Sequence, residues 1–410
     1  MSKKSPQLRF EGFTDDWEER KLSSGLREYT DRVIVEDDKE YYQISVRNNF
    51  GGITLRGSKM GNKIGRKRQA KINLTKYPQT LIFTRQTVEQ GGIGWVDKYC
   101  DGAIVTENMP TISLDTSVFS KYFLTNLFQT RIFYKNAILD NIEGGSAQIA
   151  IHESKFLSST LLFPNLDEQE KIGQFFKQLD DTIDLHQRKL DLLKEQKKGY
   201  LQKMFPKNGA KVPELRFAGF ADDWEERKLG DFSDVRDGTH ASPKYISEGH
   251  PMVTSKNLTH SGLDMTDVSF LTDEDFDEIN KRSKVSIGDI LFGMIGTIGN
   301  PVIVYRDDFA IKNVALIKEK SSNPIINKWL LQYLKSPSFN RFIQKENAGG
   351  TQKFIALGLI RDMNLRVPKK EEQQKIGSFF KHLDDTIDLH QRKLDLLKEQ
   401  KKGFLQKMFV

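Results

Sequence analysis

Two stretches of the chain place their hydrophobic residues in alternating steps of four and three positions. The apolar positions of these stretches are Ile172, Phe176, Leu179, Ile183, Leu190 and Leu193, and Ile376, Phe380, Leu383, Ile387, Leu394 and Leu397. Histidine and lysine occupy the polar steps of both stretches, at His186 and Lys197 and at His390 and Lys401. This is the spacing of a heptad seam, in which polar residues fix the register. The sequence therefore predicts two long helices that pair with each other.

The two predicted helices are copies of one sequence. Residues 171–205 and 375–409 are identical at 32 of 35 positions, and residues 6–22 return as residues 213–229 with 14 of 17 positions the same. The blocks between these repeats share almost nothing. Outward-facing residues of the helices are also unchanged, which favours two copies of one partner docked in a pseudo-two-fold arrangement. Exchange of gene segments would preserve the same residues, so both interpretations remain open.

Both intervening blocks show the pattern of mixed α and β structure, with the same order of elements. Buried strands are predicted within residues 76–86, 102–114, 250–258, 284–305 and 309–319, and helices near residues 118–137 and 327–346. The predicted fold class is α+β, with two mixed α/β domains separated and joined by two long coiled-coil helices. The expected boundaries are 1–164 for the first domain, 165–206 for the central helix, 207–368 for the second domain and 369–410 for the last helix.

The start of the central helix is marked in the sequence. Pro164 precedes Asn165 and Asp167, either of which is a suitable N-cap residue. Gly199 and Gly403 fall inside the heptads and indicate either a bend or frayed last turns. A helix of about 39 residues is about 58 Å long, comparable to roughly 17 base pairs of duplex. We therefore interpret the helix pair as a ruler.

The net charge of +7 is concentrated in one part of the chain. Residues 41–88 contain ten basic residues and no Asp or Glu. A solvated surface loop is the simpler interpretation of such a stretch, but its length favours a phosphate-rich ligand, with nucleic acid foremost. Arg and Lys can discriminate guanine in the major groove, and Asn and Gln can discriminate adenine. The candidate nucleic-acid contacts are Arg47, Arg56, Lys59, Lys63, Arg66, Lys67, Arg68, Lys71, Arg85 and Gln86 in the first block, and His240, Lys244, Ser255, Lys256 and Asn257 in the second.

The sequence offers little for catalysis, metal binding or membranes. Its single cysteine excludes an internal disulfide framework, and its seven histidines are dispersed. Residues 288–299 are glycine-rich but lack the Lys-Ser/Thr step of a phosphate loop. The start of the chain lacks the apolar core of a secretory signal, and no apolar run reaches membrane length. We expect a non-catalytic cytoplasmic protein without a metal or cofactor of its own.

The whole arrangement resembles the specificity subunit of a type I restriction-modification system. The resemblance rests on the twin heptad helices, the repeated opening PELRFAGF...DDWEERKLGD, the block DGTHASPKYISEGHPMVTSKNL, and the strands GDILFGMIGTIGNP and FAIKNVALI. It covers nearly the whole chain. The first block lacks the GTHASPKY and TSKNL stretches of the second, which fits a different half-site.

The resemblance implies a function for each part. Two target-recognition domains would each read one half of a split, asymmetric site in double-stranded DNA, and two antiparallel helices would separate them. Two modification subunits would bind S-adenosylmethionine and methylate adenine, and restriction subunits would use ATP and Mg²⁺ to translocate and cleave. The competing interpretation is an adaptor without DNA, whose heptads and mixed domains bind proteins.

Overall fold

The computed structural model describes residues 4–66, 68–141, 150–207, 210–260, 262–296, 298–322, 324–346 and 354–410. Contacts divide the chain into two units. Unit 1 is Met1–Gln187 with Arg392–Val410, and unit 2 is Arg188–Gln391. Each unit includes part of both long helices, which run from Leu166 to Lys203 and from Lys370 to Lys407. Both long helices are divided between the units, at Gln187 and at Gln391.

Unit 1 contains short strands followed by helices. Its strands are β1 (Glu18–Lys21), β2 (Leu26–Tyr29), β3 (Arg32–Ile34), β4 (Glu40–Val46), β5 (Ile53–Met60), β6 (Arg68–Lys71), β7 (Thr80–Phe83), β8 (Ile93–Trp95), β9 (Ile104–Val105), β10 (Thr111–Leu114) and β11 (Thr160–Phe163). Its helices are α1 (Lys121–Leu127), α2 (Arg131–Phe133), α3 (Glu153–Ser158) and the first part of α4 (Leu166–Lys203). A π-helical turn, Tyr134–Ile138, continues α2.

The strands of unit 1 form an inner and an outer sheet. The inner sheet has the order β2-β10-β7-β8, the outer sheet has the order β3-β6-β9-β4-β5, and β1 pairs with β11. The main core lies between the inner sheet and the helices, and it includes Trp17, Phe83, Phe123 and Phe176. Because Phe176 comes from α4, the long helix is part of this core.

Unit 2 repeats this order of elements. Its strands are β12 (Glu225–Lys228), β13 (Ser233–Asp237), β14 (His250–Val253), β15 (Leu258–Thr259), β16 (Gly262–Leu263), β17 (Ser269–Leu271), β18 (Ile290–Gly293), β19 (Gly299–Ile303), β20 (Ala310–Ile311), β21 (Val314–Glu319) and β22 (Asn364–Val367). Its helices are α5 (Leu229–Phe232), α6 (Asp273–Ser283), α7 (Asn327–Leu334), α8 (Pro337–Glu346), α9 (Leu357–Arg361) and the first part of α10 (Lys370–Lys407).

The inner sheets of the two units share one topology. In unit 2 the order β13-β21-β18-β19 reproduces the inner order of unit 1, and the pair β12-β22 reproduces β1-β11. The outer parts differ, since unit 2 has a three-stranded sheet, β17-β14-β20, and a separate pair, β15-β16. The prediction of a shared topology is confirmed for the inner sheets, and the difference in topology is confined to the outer parts.

The long helices pair in antiparallel fashion within each unit. In unit 1 Phe175 contacts Phe404, and Lys401 Nζ lies 2.8 Å from Asp180 Oδ1. In unit 2 the matching contacts join Tyr200 to Phe379, and Lys197 to Asp384 at 2.5 Å. The predicted seam residues are buried or half-buried in both helices. The predicted α+β fold with two antiparallel helices is therefore confirmed.

The helix starts are fixed by a cap and by buried ion pairs. Asn165 is the cap of α4, because its Oδ1 accepts a hydrogen bond of 2.9 Å from the Glu168 amide. The Glu168 carboxylate is buried and binds Arg9 through two hydrogen bonds of 2.7 Å. Arg216 and Glu372 form the same bidentate pair in unit 2, at 2.7 and 2.8 Å. The short repeat that opens each half is thus tied to the start of a long helix.

Candidate nucleic-acid interface

A cationic surface covers the outer part of unit 1. Residues 30–79, which we call outer lobe 1, contain eleven basic and five acidic residues. Seven of the predicted contacts are exposed side chains: Arg47, Arg56, Lys59, Lys63, Arg66, Lys71 and Gln86. Arg68 begins β6 but its side chain is not described, and Lys67 lies outside the described residues. The exposed positive charge is suited to a phosphate backbone.

A β-bulge presents one of these cations. In the pairing of β4 with β5, Gln43 lies opposite Gly57 and Ile44 lies opposite Leu55. Arg56 falls between these two pairs and has no residue across from it. A bulge bends the strand and redirects the side chains next to it. Since β5 is the edge strand of the outer sheet, Arg56 is displayed at the border of outer lobe 1.

Arg85 is paired with a carboxylate of its own unit. Its Nε lies 2.9 Å from Glu153 Oε2, and the two side chains are only 19% and 16% exposed. Burial raises the pKa of the neighbouring Glu28, Glu153 raises it further, and Arg85 lowers it. Arg85 therefore forms a mostly buried ion pair with Glu153 inside unit 1, and its contact with nucleic acid stays a prediction.

His240 belongs to an internal network of unit 2. Its Nδ1 lies 2.7 Å from Asn313 Oδ1, and its Nε2 lies 2.9 Å from Asp237 Oδ2. Asp237 also accepts a hydrogen bond from Arg282. Burial raises the pKa of Asp237, but His240 and Arg282 together lower it below its ordinary value. Both ring nitrogens of His240 are thus occupied, although its side chain is 54% exposed.

Ser255 and Asn257 are buried, which corrects their predicted role as base-contacting residues. Asn257 closes a capping box with Thr254, and its Nδ2 donates to the carbonyl oxygens of Asp264 and Asp267 at 3.1 and 2.8 Å. Ser255 Oγ donates to the Asn313 carbonyl at 3.1 Å. These two residues hold a short 3₁₀ turn in place. Their polar atoms are already used within unit 2.

Two predicted lysines of unit 2 lie on the surface, as does His240. Lys244 is exposed in the segment after His240, and Lys256 is exposed but lies 3.0 Å from Asp267. Residues 238–289, which we call outer lobe 2, contain five basic and nine acidic residues. The two outer lobes therefore differ in charge, +6 against −4, as well as in topology.

The sequence analysis missed a row of exposed leucines on the long helices. Leu185 and Leu192 of α4 are 61% and 59% exposed, and Leu389 and Leu396 of α10 are 61% and 56% exposed. Leu389 repeats Leu185, and Leu396 repeats Leu192, at the same helix positions. Each unit contains one leucine from each helix. The repeated sequence could have revealed them, because they fall outside the heptad seam.

Comparison with known proteins identifies the family. The sequence model described as "Type I restriction modification DNA specificity domain" matches the chain twice, at residues 15–195 and 221–399. The chain belongs to this family. The two matches begin in the two short repeats and end within the two long helices, so each contains one copy of the specificity domain.

Relatives and solved structures agree with this assignment. The putative type I restriction enzyme MjaX specificity subunit of Methanocaldococcus jannaschii is 26% identical over 199 residues, 46% of each chain. The MjaVIII specificity subunit of that organism is 22% identical over 292 residues, 66% of each chain. The matched part thus spans about half to two thirds of these relatives. A type I restriction-modification S subunit from M. genitalium has the same fold, with a TM-score of 0.63, 15% identity and 99% of both chains covered.

Two further features of the specificity domains concern metals and membranes. Within the described residues, no group of His, Cys, Asp and Glu is arranged to hold a metal ion. The helices in the described part of the chain are all too short or too polar to cross a membrane.

Proposed function

We propose that this chain is the non-catalytic DNA-specificity subunit of a type I restriction-modification complex, and that it reads a bipartite, asymmetric target. The observation that carries the proposal is the doubled specificity domain, built on equivalent inner sheets with different outer lobes. Equal scaffolds with unequal reading surfaces suit two different half-sites. The charge difference between the lobes supports this asymmetry, because it gives them different affinities for the phosphate backbone.

The leucines on the long helices supply a site for partners. We propose that two modification subunits dock there, one on each unit, since each unit offers the same two leucine positions. S-adenosylmethionine would bind to these adenine methyltransferases, and ATP and Mg²⁺ would serve the restriction subunits. The assembly would act in the cytoplasm, where the host DNA is found.

A genome-wide map of N6-methyladenine, with and without the gene, tests the reading function. We expect one gapped, asymmetric motif to lose methylation on both strands when the gene is deleted. An unchanged map from cells that express active modification subunits would contradict the proposal. A gel shift of the purified chain with duplex DNA at low salt then separates a DNA reader from the protein-binding adaptor.

Replacing two equivalent leucines tests the docking site. The double variant Leu185→Ser with Leu389→Ser should reduce the recovery of modification subunits with this chain at least tenfold, because apolar contact area is lost from both units. Its thermal unfolding should stay within a few degrees, since both side chains are exposed. Leu139→Ser is the matched control, because Leu139 is 46% exposed in unit 1 outside the long helices. Full recovery of the partners by the double variant would contradict the docking site.

A further inference from the structure

A polar cleft lies on one face of the outer sheet of unit 1. Gln43 of β4 and Ile104 of β9 are paired, and Ile104 is also paired with Lys71 of β6. Directly paired residues point to the same face of a sheet, as do residues two apart on one strand. Gln69 therefore shares a face with Gln43. Together with Thr106, these two glutamines line a cleft of about 240 Å³.

A glycine keeps the cleft open beside Gln43. The residue across from Gln43 on β5 is Gly57, whose φ of +128° favours glycine. A Cβ built at Gly57 would meet no atom within 4 Å. Gln43 thus has no cross-strand side chain to pack against on that side. The volume of the cleft corresponds to about eight water molecules at roughly 30 Å³ each, enough for a planar polar group.

A short turn forms the wall of the cleft. The 3₁₀ turn Gly61–Lys63 leads into Ile64, which packs into a small apolar cluster with Val35 and Ile104. The turn lies so close to Glu36 that a Cβ at Gly61 would be 1.9 Å from the Glu36 carbonyl oxygen. The position of this wall is therefore fixed by packing.

The cleft combines unused hydrogen-bonding groups with positive charge. The Gln43 carboxamide has no hydrogen-bond partner among the residues that the structure describes. Gln69 is 8% exposed, and its Nε2 donates to the Arg66 carbonyl at 2.9 Å, which holds it in the wall. Lys59 and Lys63 line the cleft with exposed side chains, and Arg66 at its mouth is paired with Glu107.

We propose that this cleft holds one nucleotide of the half-site read by unit 1, with the carboxamide of Gln43 contacting the edge of its base and Lys59 and Lys63 contacting its phosphate. The inference rests on the proposed DNA-reading function and deepens it. A glutamine carboxamide matches the N6 and N7 positions of adenine, whereas a carboxylate accepts a hydrogen bond from N4 of cytosine. Gln43 therefore selects adenine at one position of the half-site.

The test uses the complex with its modification subunits, acting on a library of DNA sites with randomised half-sites. Gln43→Ala should lower the preference for adenine at one position roughly 5- to 150-fold, the range of one good base contact, and leave the other half-site unchanged. Gln43→Glu should move the preference at that position toward cytosine. A motif that both variants leave unaltered would overturn the cleft proposal alone. A wild-type complex that selects no motif would overturn the DNA-reading function itself.

The phosphate contacts need a separate readout. The double variant Lys59→Ala with Lys63→Ala should weaken binding to all sequences and make the slope of log affinity against log salt shallower by about 2. Lys21→Ala is the control, because Lys21 is exposed on β1, outside the outer sheet. An unchanged salt slope in the double variant, at an unchanged melting temperature, would remove the two lysines from the DNA-binding face.

Discussion

At the scale of single residues, several polar side chains that resemble DNA contacts instead hold loops of their own unit. Asn257 is fully engaged by Thr254, Asp264 and Asp267, and Arg85 is engaged by Glu153. The residue types that read bases are the same types that cap turns and neutralise buried carboxylates. The sequence shows the residue type but not the group with which that residue forms a hydrogen bond or an ion pair. Glu153 lies 68 positions from Arg85, so no local pattern reveals the pair.

The Asp237 carboxylate shows how such a network responds to pH. Its pKa is lowered in the folded state, so the stability it contributes is present above its unfolded pKa of about 3.9 and is lost as the pH falls. Asp237→Asn should therefore reduce the free energy of unfolding at pH 7 by about 1–3 kcal/mol, with a smaller loss below about pH 4. Urea unfolding at several pH values measures this.

The control for this variant is Asp267→Asn. Asp267 makes an exposed ion pair with Lys256, so its replacement should change the free energy of unfolding by no more than about 1 kcal/mol. An equal loss for Asp237→Asn at every pH would mean that its charge plays no part, and that only its shape matters to the loop near His240.

At the scale of elements, the seam lysines Lys197 and Lys401 occupy equivalent helix positions but have different neighbours. Lys401 lies between Asp180 and Gln129 in unit 1, whereas Lys197 pairs with Asp384 in unit 2. Beside the second pair lies Lys335, whose pKa is lowered first by burial and then by Lys197, while Asp384 raises it. Asp388 raises the pKa of Lys335 as well. Asp384 is therefore a counter-charge to two lysines, one of them shared with Asp388, and Asp180 is a counter-charge to one.

This difference predicts that equivalent substitutions in the two units reduce the free energy of unfolding by different amounts. Asp384→Ala should reduce the free energy of unfolding by about 3–5 kcal/mol, because two cations lose their counter-charge, and Asp180→Ala should cost less. Since the folded pKa of Lys335 lies below its unfolded value, the penalty for Asp384→Ala should shrink as the pH rises toward 10 and the lysine loses its proton. Denaturant unfolding of both variants at neutral and alkaline pH measures this. Equal costs in the two units would contradict the role of Lys335.

The regular elements could be predicted from the sequence, and the outer lobes could not. The heptads and the Asn165 cap are local patterns that were found in their predicted places. The inner strands β7, β10, β18, β19 and β21 lie within predicted ranges, whereas β2, β8 and β13 were not predicted. The outer sheet of unit 1 depends on β9, a strand of two residues that joins β4 to β6. Its pairing of Gln43 with Ile104 spans 61 positions and is set by packing rather than by propensity. The cleft built on that pairing was therefore invisible in the sequence.

At the scale of the whole molecule, the repeats keep the proposed partner sites constant while the outer lobes vary. The buried pair of Arg9 with Glu168, the seam and the exposed leucines recur in both units. Outer lobes 1 and 2 differ in the arrangement of their strands and in the sign of their charge. A change of target sequence can therefore occur in one lobe without disturbing the inner sheet or the helices.

The ruler interpretation predicts how the gap between the half-sites depends on helix length. Each long helix begins in one unit and ends in the other, so one heptad inserted after Gln187 and one after Gln391 lengthen both helices together. Seven residues add about 10.5 Å, or about three base pairs. We expect the methylated motif to keep both half-sites and to gain about three base pairs between them, which a methylation map of the variant measures.

The twist of DNA gives this experiment a second arm. Three base pairs also rotate the duplex by about 100°, whereas a heptad changes the phase of the helix seam very little. Three inserted heptads add about 31 Å, close to one full turn of DNA. They should therefore return both half-sites to their original relative orientation around the duplex. Methylation should therefore be weaker with one heptad than with three. A motif whose gap stays constant in every variant would mean that the spacing is set by something other than the helices.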